Sequence, residues 1–314
     1  MRLAITLATR GRPQQVVDTI SRSVALWSLP DTQLWVMVDA DDAATIAAVH
    51  EAQPLWNDAG RLVFIDVRER EDTIAAKWNR IVELRSEADV YLVVGDDDPF
   101  VTPGYDERIV EAAARFPDGI GMVYGHMANA SFSGVIAPTR GFARALGHLC
   151  PPYFPYWFWD HWTDDIARLI GRISFADVRT DQSGAGHTQE MREPSWWATF
   201  FDAAKCMRRT QARNIIDSAG FMEPEWRKEC LRAHYPLIEH RSKWINDSVR
   251  ATGRHHDMRS GLSLADARYQ RVKQSAIAMI PHLLDDYGMD KSEAAAFRDV
   301  LIPQPFIPAL ARLG

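Results

Sequence analysis

The chain has 314 residues, 46% of them apolar and 25% charged, with 36 Lys+Arg against 42 Asp+Glu. That balance excludes a disordered tail, a collagen-like fibre and a disulfide-stapled miniprotein, and leaves enough apolar surface for a sizeable core. No run of about 18 uncharged apolar residues occurs, so no membrane span is expected. The run Leu3–Leu7 is too short for the core of a signal peptide. Three cysteines (Cys150, Cys206, Cys230), an odd count without CxxC, point to a reduced cytoplasmic protein. Charge is uneven: residues 205–275 carry 15 Lys+Arg and 8 Asp+Glu, a net of +7, which leaves −13 on the rest. An acidic body with a basic segment suits either an anionic partner or a solvated helical surface.

Leu3–Ala8 reads as a strand buried on both faces. Thr9-Arg10-Gly11-Arg12-Pro13 ends it, and Gln14–Trp27 then places Val16, Val17, Ile20, Val24 and Trp27 at helical spacing. Leu34–Val38 is a second strand, ended by Asp39-Ala40-Asp41-Asp42, and Ala43–Ala52 a helix. Leu62–Val67 is a third strand and Thr73–Leu84 a helix. Val90–Val94 is a fourth strand, stopped by Gly95-Asp96-Asp97-Asp98-Pro99. A helix over Asp106–Phe116, a strand over Gly121–Tyr124, a helix over Thr163–Arg172 and a strand over Ile173–Val178 follow. Beyond about residue 195 the pattern is helical. Strands and helices alternating through short connections predict an α/β fold: a Rossmann-like, mixed but mostly parallel sheet flanked by helices, with a helical C-terminal extension. The expected division is 1–200, with halves 1–98 and 99–200, and a helical part 201–314.

In such sheets ligands sit beyond the carboxyl ends of the strands, and the unusual polar residues fall there. Three consecutive carboxylates, Asp96-Asp97-Asp98, repel one another, and Mg²⁺ or Mn²⁺ relieves that repulsion; the plainer reading is an acidic turn. Asp39 can accept hydrogen bonds from a ribose or base, or cap the next helix, a role that Asp42 suits better. The Thr9–Arg12 loop offers backbone N–H groups, a hydroxyl and two guanidinium groups to a phosphate, and equally serves as a helix entry. It is neither a Walker A loop nor GxGxxG. Thr163 as N-cap, with Asp164 and Asp165 in the first turn, either stabilises a helix or presents a general base. Tyr153–Trp162 holds seven aromatics in ten residues, including Tyr156, Trp157 and Trp159, which stack on sugars or cover the sheet. His187 is a third metal ligand or an exposed loop histidine, and His255-His256 reads as surface.

These pieces, in this order, resemble the GT-A fold glycosyltransferases of the inverting family-2 type. The resemblance covers roughly residues 2–195. It rests on ITLATRGRP (Ile5–Pro13), VMVDADD (Val36–Asp42), AAKWNRIVE (Ala75–Glu83), YLVVGDDDPF (Tyr91–Phe100) and WTDDIARLIGR (Trp162–Arg172). It implies a metal-dependent enzyme that moves one sugar from a nucleoside-diphosphate sugar, UDP by family default, to an acceptor hydroxyl. The nucleotide would be held by Thr9, Arg10, Asp39, Lys77 and Asn79. Asp96 and Asp98 fit the DxD positions: Asp98 is the direct metal ligand, Asp96 serves ribose and metal, Asp97 lies near the donor sugar, and His187 completes the metal site. Asp165 matches the catalytic base, with Asp164 beside it, although Asp-Asp stands where Glu-Asp is commoner and either carboxylate fits. Tyr156, Trp157 and Trp159 would receive the acceptor: a glycan, a lipid-linked sugar or another hydroxyl-bearing molecule, nucleic acid included. The processive QxxRW motif is absent, which implies single addition. The C-terminal helices offer a route to a homo-oligomer. The alternatives are a sugar-1-phosphate nucleotidyltransferase and a non-catalytic carbohydrate- or nucleic-acid-binding protein.

Overall fold

In the computed structural model, residues 1–129, 132–133, 135–155, 158–181, 194–220 and 267–289 are described. The chain divides into two compact units. The first comprises Met1–Pro152, Trp159–Ala167 and Arg172–His187; the second comprises Tyr153–Phe158, Arg168–Gly171 and Thr188–Gly314.

The first unit is built on a seven-stranded sheet. Its strands are β1 (Leu3–Ala8), β2 (Gln33–Asp39), β3 (Leu62–Arg68), β4 (Val90–Gly95), β5 (Met122–Tyr124), β8 (Ile136–Pro138) and β9 (Ile173–Phe175), in the order β3-β2-β1-β4-β8-β5-β9. The pairs β1–β2, β1–β4, β2–β3 and β5–β9 are parallel, while β8 runs antiparallel to β4 and β5. The sheet is thus mixed and mostly parallel, as expected. A separate hairpin joins β6 (Met127–Asn129) to β7 (Phe132–Ser133).

Alternation along β1 explains why its six residues are all buried. Leu3, Ile5 and Leu7 pack with Val16, Ile20 and Val24 of α1 (Pro13–Val24) and with Val49 and Trp56 of α2 (Ala43–Asp58). Ala4 and Ala8 meet Ala75, Trp78 and Ile81 of α3 (Ile74–Leu84) on the other face. With helices on both faces there is no solvent side, so the strand reads as a continuous apolar run. Three more helices belong to this unit, wholly or mostly: α4 (Tyr105–Ala113), α5 (Arg140–Leu146) and α6 (Trp159–Leu169).

Three expectations are corrected. The helix after β2 does not stop at Ala52 but continues through Pro54 to Asp58. Burial of Trp56, whose Nε1 donates to Ser21 Oγ at 3.0 Å, offsets the hydrogen bond that Pro54 cannot make. The helix expected from Thr163 begins a turn earlier, at Trp159. Thr163 therefore does not cap it: its hydroxyl donates back to the Trp159 carbonyl at 2.9 Å. Asp160, not Asp164, occupies the first turn. Finally, β8 and α5 occupy a stretch with no assigned element, although Thr139 as N-cap and Gly147 in the left-handed region (φ 86°) bound α5 in the usual way.

The second unit contributes α7 (Pro194–Ala203), α8 (Lys205–Ala219) and α9 (Ala267–Asp285). Its core is aromatic: Phe158 stacks on Phe201 at 5.1 Å, Phe154 lies 5.6 Å from Phe200, and Trp197 Nε1 donates to Tyr269 OH at 3.2 Å. Arg208, fully buried, lies 3.9 Å over the Phe201 ring and donates to the Phe201 carbonyl. Among the described residues no helix is long and apolar enough to cross a membrane, and Cys150 and Cys206 are buried thiols. Cys230, His255, His256 and most of the basic segment lie outside the described residues.

Candidate active site at the carboxyl ends of three strands

β1, β2 and β4 are parallel neighbours, so their carboxyl ends open on one rim. The loop after β1 reaches both other strand ends. On the β2 side, Arg10 Nη1 donates to Asp39 Oδ2 at 3.0 Å and Arg10 Nη2 to Asp41 Oδ2 at 3.0 Å. Asp39 is 1% exposed and is paired from α3 as well, where Lys77 Nζ stands 2.8 Å from its Oδ1. Lys77 also donates to the Thr9 carbonyl at 3.2 Å. Burial pushes Lys77 below its usual range, against the pull of Asp39. The hydrogen bond from Arg10 to exposed Asp41 raises the arginine and lowers the acid.

Asp42 caps α2 through the Thr45 N–H at 3.3 Å, the role the sequence favoured, and accepts the Gly11 N–H at 2.6 Å. Burial raises its carboxyl, but these hydrogen bonds outweigh burial and leave it lowered. Gly11 itself sits at φ 66°, the left-handed region where a side chain is disfavoured.

On the β4 side, Asp96 turns inward. Its Oδ2 accepts from Thr9 Oγ1 at 2.8 Å, its Oδ1 from Arg12 Nη1 at 2.7 Å, and its carbonyl from Thr19 Oγ1 of α1 at 2.7 Å. Burial raises the Asp96 carboxyl, opposed by Arg12 and Thr9. Asp97 Oδ2 accepts from the same Arg12 Nη1 at 3.4 Å. A Cβ on Gly95 would lie 2.9 Å from Asp97 Oδ1 and 2.9 Å from Asp98 Oδ2, so both carboxylates converge over this glycine. Only a residue without a side chain permits that approach.

The rim therefore gathers six carboxylates (Asp39, Asp41, Asp42, Asp96, Asp97, Asp98) and three cations (Arg10, Arg12, Lys77), a formal charge of −3. Among the described residues no group of three or more His, Cys, Asp or Glu side chains is disposed to hold a metal. His187, expected as the third ligand, lies outside the described residues, as do Tyr156 and Trp157.

The remaining candidates lie further along the same unit. Asn79 is two residues beyond Lys77, on the opposite side of α3, and its side chain turns away: Oδ1 accepts the Leu149 and Cys150 N–H groups at 2.9 and 2.8 Å, and Nδ2 donates to the Cys150 carbonyl. Trp159 packs against Trp78 at 4.8 Å, in the cluster that also holds Ala8 and Met37. This anchors the start of α6 on the residues leading into Thr9 and Asp39. Asp164 and Asp165 fall in the second turn of α6, 4% and 0% exposed.

Two features escaped the sequence reading. The pairs that Arg10 and Arg12 make span 29 to 85 positions, which no local spacing shows. His161 Nδ1 lies 2.8 Å from Asp160 Oδ1 in the first turn of α6; burial raises the Asp160 carboxyl, but the histidine outweighs it and the net shift is down. Adjacent acid and base residues at a helix start are the signal that was there.

Neither a protein-family model nor a curated protein matches the sequence. Solved structures do. Staphylococcus aureus TarS residues 1–349 is similar at a TM-score of 0.56 and 12% identity, over 96% of this chain and 88% of that one. TarS 1–349 in complex with UDP gives 0.53 at the same identity and coverage. A longer TarS chain gives 0.55, with 53% of it covered. The mannosyltransferase PcManGT from Pyrobaculum calidifontis, in complex with GDP-Man and Mn²⁺, aligns over 95% and 87% at 12% identity, but its TM-score of 0.48 is too low to establish a shared fold. At such identities the likeness establishes the fold alone, and that fold is the GT-A type expected from the sequence.

Proposed function

We propose that the chain is a nucleotide-sugar-dependent glycosyltransferase, adding single sugars with inversion and requiring Mn²⁺ or Mg²⁺. One observation carries this reading: three parallel strand ends bring Thr9, Arg10, Arg12, Asp39 and the Asp96–Asp98 turn into one hydrogen-bonded rim. A protein of the same fold has been crystallised with UDP, which supports UDP as the first donor base to try.

Electrostatics supports the metal. A rim of formal charge −3 repels a diphosphate unless a cation comes with it. Hard oxygen donors suit Mn²⁺ or Mg²⁺, and such ions are commonly held by one or two carboxylates together with substrate phosphates. Asp97 and Asp98, converging over Gly95, fit that pattern. When bound, the ion would supply Lewis-acid stabilisation of the leaving diphosphate. Asp96, committed to Thr9 and Arg12, positions the β1 loop, so the metal role rests on Asp97 and Asp98 rather than on the Asp96/Asp98 spacing.

The chain's own groups do the rest. Lys77 and Arg10 pair with Asp39 and hold it in place, where its carboxylate accepts hydrogen bonds from the nucleoside. Asp165 takes the proton from the acceptor hydroxyl as it attacks the anomeric carbon from the face opposite the diphosphate, with Asp164 beside it. Trp159 borders the acceptor.

The test is a panel of UDP-, GDP-, dTDP-, CDP- and ADP-sugars with Mn²⁺, read by release of the nucleoside diphosphate. Release from one donor, abolished by chelation, supports the proposal. Pyrophosphate formed from a nucleoside triphosphate and a sugar phosphate would replace it with nucleotidyl transfer. Silence on every substrate would leave a binding protein.

A further inference from the structure

Arg12 is placed where the bound cation would exert its charge. Its Nη1 is 2.7 Å from Asp96 Oδ1 and 3.4 Å from Asp97 Oδ2, and its side chain is only 20% exposed. The two contacts differ in kind. Asp96 also has the Thr9 hydroxyl at 2.8 Å and is held by Thr19 through its backbone, so it keeps partners if Arg12 leaves. Asp97 faces two ways: Oδ2 looks to Arg12, while Oδ1 shares the space over Gly95 with Asp98. A cation drawn to Asp97 and Asp98 therefore competes with Arg12 for the same carboxylate, and the 3.4 Å contact is the weaker one to give up. Two positive charges on one carboxylate repel each other, and a planar guanidinium released there is a ready phosphate ligand.

We propose that Arg12 is a displaceable internal counter-cation: it neutralises Asp97 in the metal-free protein and turns to the donor diphosphate once a divalent ion takes that carboxylate. This rests on the nucleotide-sugar reading above and adds to it. It makes cation and nucleotide binding mutually reinforcing, because the diphosphate offers Arg12 the negative charge that the metal removes.

The readout is Mn²⁺ affinity, measured by electron paramagnetic resonance on the intact chain with and without UDP. Arg12→Gln is expected to bind Mn²⁺ alone about tenfold more tightly than wild type, and to lose most of the tightening that UDP confers. Arg12→Lys keeps the charge but cannot span Asp96 and Asp97 with one ammonium; it is expected to tighten Mn²⁺ about threefold, and serves if the glutamine variant does not fold. Unchanged Mn²⁺ affinity in the folded variants, with UDP still binding to wild type, overturns the counter-cation role and leaves the transferase reading intact. A wild type that binds Mn²⁺ but no nucleoside diphosphate overturns that reading instead. No Mn²⁺ bound by any of the three proteins overturns both.

Discussion

The two ends of the rim answer the same problem differently. At the β2 end, Asp39 and Asp41 face Lys77 and Arg10, and the third acid, Asp42, is held by the N–H groups of Gly11 and Thr45. At the β4 end, Arg12 reaches Asp96 and Asp97, and Asp96 is held further by the neutral hydroxyls of Thr9 and Thr19. Over the rim's own charged side chains, the β2 end carries one negative charge in excess and the β4 end two. On the proposed reading, that difference puts the demand for an external cation at β4 and leaves the β2 end to a neutral, hydrogen-bonding part of the ligand, such as a nucleoside.

Substitutions can break or sharpen this contrast. The largest effect is expected away from both ends: Asp165→Asn should lower kcat by roughly 10²–10⁴ while leaving nucleoside-diphosphate binding intact, as loss of a general base does. Retained turnover would move the role to Asp164. Next, Lys77→Met should cost on the order of 3–5 kcal/mol, because it removes the buried partner of an acid that is 1% exposed. That corresponds to a fall in melting temperature of about 10 °C, with part of it recovered by adding Asp39→Asn. A melting temperature that does not move would show that Arg10 balances the β2 end alone.

At the other end, Gly95→Ala places a methyl 2.9 Å from the oxygens of Asp97 and Asp98. It should weaken Mn²⁺ binding roughly 10-fold by titration, the size of effect that misdirected metal-site residues produce. The smallest effect concerns Asp42. Its carboxyl is lowered in the fold, so its contribution is present above the ordinary carboxylate pKa and lost as the pH falls through its own lower value. Asp42→Ala should therefore cost about 1 kcal/mol at pH 7, a normal N-cap loss, with the gap from wild type closing in strong acid. A gap that widens in acid would contradict the hydrogen bonds from Gly11 and Thr45 as its cause.

β1, β2 and β4 were legible because burial on both faces writes them as apolar runs, edge strand β3 from its Leu-Val-Phe-Ile run, and the rim acids lie at or just beyond strand ends. On the other side β5 and β9 were legible as short apolar runs, whereas β8 was not, since a three-residue antiparallel strand carries little pattern and obeys no βαβ rhythm. The start of α6 was misplaced because Thr-Asp-Asp reads as a cap, whereas burial of Trp162 and packing of Trp159 on Trp78 draw the helix back a turn. Thr9, Arg10, Asp39 and Lys77 were named from the sequence and meet in the structure. That Asp96 faces inward, and that Arg12 reaches Asp97, depends on pairs more than 80 residues apart.

Calorimetric titration of UDP, GDP, dTDP, CDP and ADP into wild type and Asp98→Ala, each with Mn²⁺ and with a chelator, tests most directly whether the β4 end requires a cation to bind a diphosphate. One nucleotide should bind to wild type only when Mn²⁺ is present, and Asp98→Ala should lose that binding. Equal binding with the chelator, or none of the five binding under any condition, would contradict it.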